Sequence, residues 1–157
     1  VMVSTSGHRL LAENAVSALT ESIFPLACII TPNIPEAEIL SDTEIKNPDQ
    51  MVKSAEKISE KFGGNVLLKG GHLESTAADL LYADGVNTWF ETKKIDNPNT
   101  HGTGCPLSSA IASNLAKGMD VKESVKLAKD YVTGAIMDGL DLGRGRGPLN
   151  HMYKNII

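Results

Sequence analysis

The sequence has few aromatic residues, only two cysteines and no long apolar run. Phe, Trp and Tyr make up 4% of its 157 residues, too few for the stacked aromatic platforms that bind single-stranded nucleic acid. The formal net charge of −4 argues against nucleic acid or an anionic membrane surface as the main partner. No stretch predicts a signal peptide or a membrane span. We therefore expect a soluble cytoplasmic protein that binds neither nucleic acid nor membrane.

The two cysteines, Cys28 and Cys105, lie in different settings. Cys28 is part of an apolar run, and Cys105 is part of a glycine-rich loop. They form no CxxC motif, and the four histidines show no zinc-site spacing around them. This pattern leaves a disulfide open but favours a reduced protein.

Short β-type runs alternate with helical periods along the whole chain, which predicts an α/β fold with a largely parallel sheet. The absence of repeats and long linkers predicts a single domain over residues 1–157. The Asp84-Gly85 pair predicts a β-hairpin. The predicted helices cover residues 10–22, 33–40, 49–62, 106–117 and 121–138. The apolar face of the helix at 49–62 is formed by Met51, Ala55, Ile58 and Phe62, and the stripe of the helix at 121–138 by Val121, Val125, Ala128, Val132 and Ala135. The predicted strands cover residues 27–31, 65–69, 79–83 and 87–94, the first two of them buried on both faces.

The first residues, Val1-Met2-Val3, form an apolar, strand-like run without an initiator methionine. This start predicts that the chain begins inside a structural element. We therefore expect an N-terminally truncated domain.

The segment 99–106, Asn-Thr-His-Gly-Thr-Gly-Cys-Pro, is the most informative part of the sequence. Gly102 and Gly104 let the backbone turn tightly and bring its N–H groups close to a ligand. A helix is predicted directly afterwards with Pro106 at its first position, and such a helix start attracts phosphates. Cys105 at this positive end favours a thiolate that can act as a general base. The alternative is a glycine-rich turn with a small structural cysteine.

Asn33 and Glu36 stand three residues apart at a predicted helix start, which is the spacing of a capping box. Lys69, at the end of a predicted strand, is either a phosphate ligand or a solvated lysine.

Several motifs in the same order resemble the hydroxymethylpyrimidine/phosphomethylpyrimidine kinases of the ribokinase-like superfamily. The loop His-Gly-Thr-Gly-Cys at 101–105 and the helix start Leu-Ser-Ser-Ala-Ile-Ala at 107–112 are typical of this family. Residues 31–38 resemble the Asn-x-x-Glu motif of the superfamily, and residues 69–72 resemble a family segment near the nucleotide. Residues 147–151 resemble the C-terminal family signature. The resemblance covers nearly the whole chain, but a large N-terminal segment is absent.

The resemblance implies a three-layer α/β/α sandwich with a mostly parallel sheet. It also implies transfer of a phosphoryl group from ATP, with Mg²⁺, to a hydroxymethylpyrimidine and then to its monophosphate. In the implied site, Gly102, Thr103 and Gly104 cradle the phosphoryl group and Cys105 is the base. Lys69 and Thr100 contact the nucleotide, and Val1 contacts the substrate. Asn33 and Glu36 organise Mg²⁺ largely through its water ligands, which is compatible with the capping box.

Two alternatives remain open at this point. A pyridoxal kinase of the cysteine-bearing type resembles this family closely and also acts on a flat ring with a hydroxymethyl arm. An inactive fragment of either kinase is the other alternative, because the absent segment supplies much of the pocket in the family. We also expect the protein to form a homo-oligomer.

Overall fold

The computed structural model describes residues 2–4, 7–70, 78–91, 104–139 and 148–154 of the chain. The described helices are α1 (Glu13–Ser22), α2 (Ile34–Ser41), α3 (Pro48–Phe62), α4 (Gly104–Ala116) and α5 (Val121–Met137). The described strands are β1 (Ile29–Ile30), β2 (Asn65–Leu68), β3 (Ala78–Ala83) and β4 (Val86–Glu91), and a 3₁₀ turn covers Phe24–Leu26. The chain divides into two compact units, Val1–Thr92 and Lys93–Ile157.

The four strands of the first unit form one sheet in the order β1-β2-β3-β4. β1 and β2 are parallel, whereas β2–β3 and β3–β4 are antiparallel. Asp84 and Gly85 have φ angles of 51° and 76°, as a tight hairpin turn between right-twisted strands requires. The α/β class and the hairpin are therefore confirmed, and the parallel part of the described sheet is the β1–β2 pair.

β1 is shorter and more exposed than its apolar sequence predicts. Only Ile29 and Ile30 pair as a strand, and Cys28 is exposed. Among the described residues β1 is an edge strand that pairs with β2. The expectation of a strand buried on both faces holds for β2, in which Val66, Leu67 and Leu68 are fully buried.

The core of the first unit lies between α3 and the sheet. Met51, Ala55 and Ile58 occupy one face of α3 at helical spacing and are fully buried. They belong to the same cluster as Val66 of β2 and Leu80 of β3. Burial of each large apolar side chain contributes about 1.5–3 kcal/mol, so this cluster holds β2 and β3 against α3.

The starts of α3 and α5 follow from local sequence, whereas that of α1 does not. Asn47 caps α3 and Asp120 caps α5, each by accepting a hydrogen bond from a first-turn N–H. α1 begins at Glu13, three residues later than predicted. Leu10 and Leu11 donate their backbone N–H groups to the carbonyl of Met2, so they continue an extended segment and are not helical.

The second unit contains the α4–α5 helix pair. Val125, Ala128, Val132 and Ala135 are buried along one stripe of α5, as predicted. Leu107 and Ile111 of α4 are also buried, and the two helices pack together. The short connection between them makes them antiparallel neighbours. No helix in the described part of the chain is long and apolar enough to cross a membrane.

Candidate functional site

The carboxyl ends of the two parallel strands bring Asn33 and Lys69 together. Asn33 follows β1 and Lys69 follows β2, and the two residues form a parallel bridge beyond the strands. The backbone N–H of Lys69 donates a 2.9 Å hydrogen bond to the carbonyl of Pro32. Open α/β sheets bind their ligands at this edge, so the structure places both predicted site residues where a ligand site is expected.

Asn33 and Glu36 form the capping box that their spacing predicts. The Asn33 side chain accepts a 2.9 Å hydrogen bond from the backbone N–H of Glu36. The Glu36 carboxylate accepts one of 3.0 Å from the backbone N–H of Asn33. The capping interpretation is therefore confirmed. It fixes the start of α2 directly after β1.

The same two side chains also hold the N-terminal segment, which sequence reasoning missed. Oε1 of Glu36 accepts hydrogen bonds from the backbone N–H groups of Met2 and Val3, at 2.7 and 3.3 Å. Nδ2 of Asn33 donates a 2.9 Å bond to the carbonyl of Val3. Asn33 and Glu36 are only 6% and 5% exposed, so these bonds are shielded from water. No sequence signal marks them, because the partners lie 30 or more residues apart.

Asp79 is a second buried carboxylate beside this edge. It opens β3 and accepts a 2.9 Å hydrogen bond from the backbone N–H of Gly70, the residue after Lys69. Gly70 has no room for a Cβ, which would overlap the carbonyl of Ala78 and the side chain of Met51. The Gly70 N–H that bonds to Asp79 lies nine residues away in the sequence, on the turn that carries Lys69.

Mg²⁺ fits this site only through water. Three backbone N–H groups already occupy the Glu36 carboxylate, which offers about four lone-pair positions in all. The described residues contain no group of three or more His, Cys, Asp or Glu side chains able to hold a metal ion. Since magnesium usually keeps several waters and takes few protein carboxylates, Asn33 and Glu36 suit an outer position around a hydrated ion.

The start of α4 belongs to the second unit. α4 begins at Gly104, and Cys105 in its first turn is an exposed free cysteine. Pro106 is the third helical residue, not the first as predicted. It is tolerated there because the first four N–H groups of a helix have no intrahelical acceptor. Ser108 donates from its hydroxyl to the carbonyls of Gly104 and Cys105, so the side chain of Ser108 points back toward the helix start.

The remaining predicted site residues, Val1, Thr100, Gly102 and Thr103, lie outside the described residues. Asn33, Glu36 and Lys69 belong to the first unit, whereas Gly104 and Cys105 belong to the second. The structure therefore brings the first three together. Assembly of the complete predicted site stays a prediction.

Comparison with known proteins extends these observations. The hydroxymethylpyrimidine/phosphomethylpyrimidine kinase of Haemophilus influenzae is 40% identical over 156 residues, which are 96% of this chain and 58% of that protein. The phosphomethylpyrimidine kinase of Clostridium difficile, known from a crystal structure, is 41% identical with a TM-score of 0.75. The match covers 87% of this chain and 55% of that kinase chain. The pyridoxal kinase of Staphylococcus aureus in complex with AMP-PCP is 31% identical with a TM-score of 0.87. The match covers 100% of this chain and 57% of that kinase chain.

The sheet and its carboxyl-end site, together with these matches, define a ribokinase-like α/β kinase fold. Residues 1–150 match the family model described as phosphomethylpyrimidine kinase. The chain belongs to this family. It spans only a little over half the length of the kinase from Haemophilus influenzae.

Proposed function

We propose that this chain is part of an ATP-dependent kinase of thiamine biosynthesis. Its acceptor would be 4-amino-5-hydroxymethyl-2-methylpyrimidine and then the resulting monophosphate. The observation that carries this proposal is the family match over residues 1–150. It is supported by 40% identity to the hydroxymethylpyrimidine/phosphomethylpyrimidine kinase of Haemophilus influenzae. We further propose that the protein acts in the cytoplasm, on small molecules, as a homo-oligomer.

The residue roles follow the chemistry of phosphoryl transfer, in which positioning and charge stabilisation dominate. Lys69 and Thr100 would contact the nucleotide phosphates. Gly102, Thr103 and Gly104 would present backbone N–H groups to the migrating phosphoryl group, next to the positive end of α4. Val1 would contact the acceptor ring. Cys105 would take the proton of the acceptor hydroxyl, and its exposure in the first turn of α4 supports that role.

Asn33 and Glu36 would face the hydrated Mg²⁺ that accompanies ATP. The metal would neutralise charge on the phosphates, and the two side chains would accept hydrogen bonds from its water ligands. Three backbone N–H groups bond to the Glu36 carboxylate. Its remaining lone pairs suit this indirect contact.

A pyridoxal kinase is the second candidate. It is favoured by the structural match to the pyridoxal kinase of Staphylococcus aureus, with a TM-score of 0.87, which exceeds the 0.75 of the phosphomethylpyrimidine kinase. Since both acceptors are flat heteroaromatic rings with a hydroxymethyl arm, the described residues suit either one.

The test is a kinase assay of the protein at its natural full length with MgATP. Hydroxymethylpyrimidine, its monophosphate and pyridoxal are compared at equal concentrations, and phosphorylated products are measured directly. We expect kcat/KM to be highest for the two pyrimidines. Preference for pyridoxal would establish the second candidate, and no transfer to any of the three would contradict both.

The isolated 157-residue chain is the appropriate second sample. We expect weak activity from it, because residues of the kinase relatives that it does not span would supply part of the acceptor pocket. If it matched the full-length protein in turnover, the assignment of the pocket would be wrong.

A further inference from the structure

We infer that Glu36, assisted by Asn33, is a positioning residue that holds the Met2–Val3 backbone at the edge of the site. The inference deepens the proposed function, on which it rests, because Val1 is proposed to contact the acceptor. It assigns to this pair a role on the acceptor side of the site, in addition to any contact with a hydrated metal.

The hydrogen bonds of Glu36 carry the inference. One carboxylate oxygen receives two consecutive backbone N–H groups, from Met2 and Val3, at 2.7 and 3.3 Å. The other oxygen receives the N–H of Asn33 at 3.0 Å. A carboxylate with several backbone donors is a strong, charge-assisted anchor. Its burial, at 5% exposure, removes the competing water that would weaken it.

Asn33 completes the arrangement from the other side of the segment. Its Nδ2 donates to the Val3 carbonyl at 2.9 Å, while its Oδ1 caps α2. The Met2–Val3 backbone is therefore held through both its N–H groups and a carbonyl. A capping box alone requires only the bonds between Asn33 and Glu36, so the bonds to residues 2 and 3 are additional to the cap.

The arrangement ties three chain segments together at one edge. The Met2–Val3 segment bonds to Asn33 and Glu36, and Asn33 forms a bridge with Lys69. Asn33 thus connects the Met2–Val3 backbone to the strand end that carries Lys69, a proposed nucleotide ligand. Loss of the Glu36 carboxylate would release the Met2–Val3 backbone while β1, β2 and Lys69 keep their own pairing.

Glu36→Gln in the full-length protein tests this inference, with Glu38→Gln as the matched control. Glu38 lies on the same helix, and its carboxylate also accepts a backbone N–H, that of Ile45, at 2.8 Å. In Glu36→Gln we expect hydrogen exchange of the Met2 and Val3 amides to accelerate about tenfold or more. In Glu38→Gln the acceleration should appear at Ile45 and not at residues 2 and 3.

Kinetics of the same variants separate positioning from metal binding. For Glu36→Gln we expect KM for the acceptor alcohol to rise about tenfold together with the faster exchange at Met2 and Val3. A change in the Mg²⁺ concentration for half-maximal rate would report the separate metal-side contact proposed above. A shift of the Mg²⁺ midpoint with unchanged exchange at Met2 and Val3 would overturn the inference and leave Glu36 as a metal-side residue.

Asn33→Ser keeps the inference testable if Glu36→Gln does not fold. Serine preserves a good helix cap but has no group that reaches the Val3 carbonyl as Nδ2 does. We expect α2 to remain intact and exchange at residues 2–4 to accelerate. Unchanged exchange in this variant would overturn the inference. Because exchange is measured without substrate, it decides the inference even where the wild type phosphorylates none of the proposed acceptors.

Discussion

The carboxylate of Asp79 accepts a hydrogen bond from the backbone N–H of Gly70 at 2.9 Å, and both residues are buried. Asp79 opens β3, whereas Gly70 follows Lys69 at the end of β2. The bond therefore ties the turn that carries a proposed nucleotide ligand to the neighbouring strand. A buried N–H without an acceptor is costly, so the contribution of Asp79 is measurable.

Asp79→Ala should lower the free energy of unfolding by about 1–3 kcal/mol, because it leaves the Gly70 N–H without this acceptor. Urea unfolding measures the loss, and hydrogen exchange at Gly70 locates it. Asp49→Ala, at an exposed position in the first turn of α3, is the control and should cost less than about 1 kcal/mol. Unchanged exchange at Gly70 in Asp79→Ala would contradict the assigned role.

The effect of Gly134→Ala on stability should change sign with the residue at position 153. A Cβ at position 134 would overlap the Tyr153 ring. Gly134→Ala should therefore destabilise the protein by about 1–3 kcal/mol through overpacking, although alanine is the better helix former. In a Tyr153→Ala background the same change should stabilise by up to about 1 kcal/mol.

Chemical denaturation of the four proteins in this cycle measures both effects. The reversal of sign between backgrounds is the expected result. If Gly134→Ala has the same effect with and without the Tyr153 ring, the packing of residues 148–154 on α5 does not determine the need for glycine.

Self-association of the isolated 157-residue chain is expected from its exposed apolar surface. Ile23 and Leu26 are 54% and 82% exposed, and they precede β1, an edge strand among the described residues. Unpaired edges and apolar patches recruit other chains. Sedimentation should show association that weakens in the double variant Ile23→Glu, Leu26→Glu.

Met152→Glu is the control for that experiment. Met152 is 62% exposed but belongs to the second unit, so its replacement should not change association. If the unchanged chain stays a compact monomer at high concentration, the exposed apolar surface at Ile23 and Leu26 does not cause association.

Cys105 should affect the two proposed phosphoryl transfers unequally in the full-length protein. The first transfer removes a proton from a hydroxyl, and a positioned base is worth about a hundred- to ten-thousand-fold. The second attacks with a phosphate oxygen, which is largely ionised near neutral pH because its second pKa is about 6. Cys105→Ala should therefore slow the first transfer far more than the second, and Cys105→Ser should restore little.

Single-turnover rates with the alcohol and the monophosphate test this difference. Cys28→Ala is the matched control, because Cys28 is also a free, exposed cysteine but lies in the other unit, and its replacement should leave both rates unchanged. Equal losses on the two substrates in Cys105→Ala would show that the thiol shapes the loop and does not move a proton.

The sequence by itself determined the elements whose signals are local. The stripe Met51, Ala55 and Ile58 predicted the buried face of α3, Asp84-Gly85 predicted the hairpin turn, and the spacing of Asn33 and Glu36 predicted the capping box. In each case the interacting groups lie within one or two turns of chain, so periodicity and turn chemistry suffice to identify them.

Only the tertiary structure decided which distant groups meet. The bonds of Glu36 to Met2 and Val3, that of Asp79 to Gly70, and the contact of Gly134 with Tyr153 join residues that no periodic pattern relates. The exposure of Cys28, directly before β1, was likewise invisible in the apolar run to which it belongs. Buried carboxylates must find donors, but which backbone N–H groups supply them is determined by the path of the chain in three dimensions.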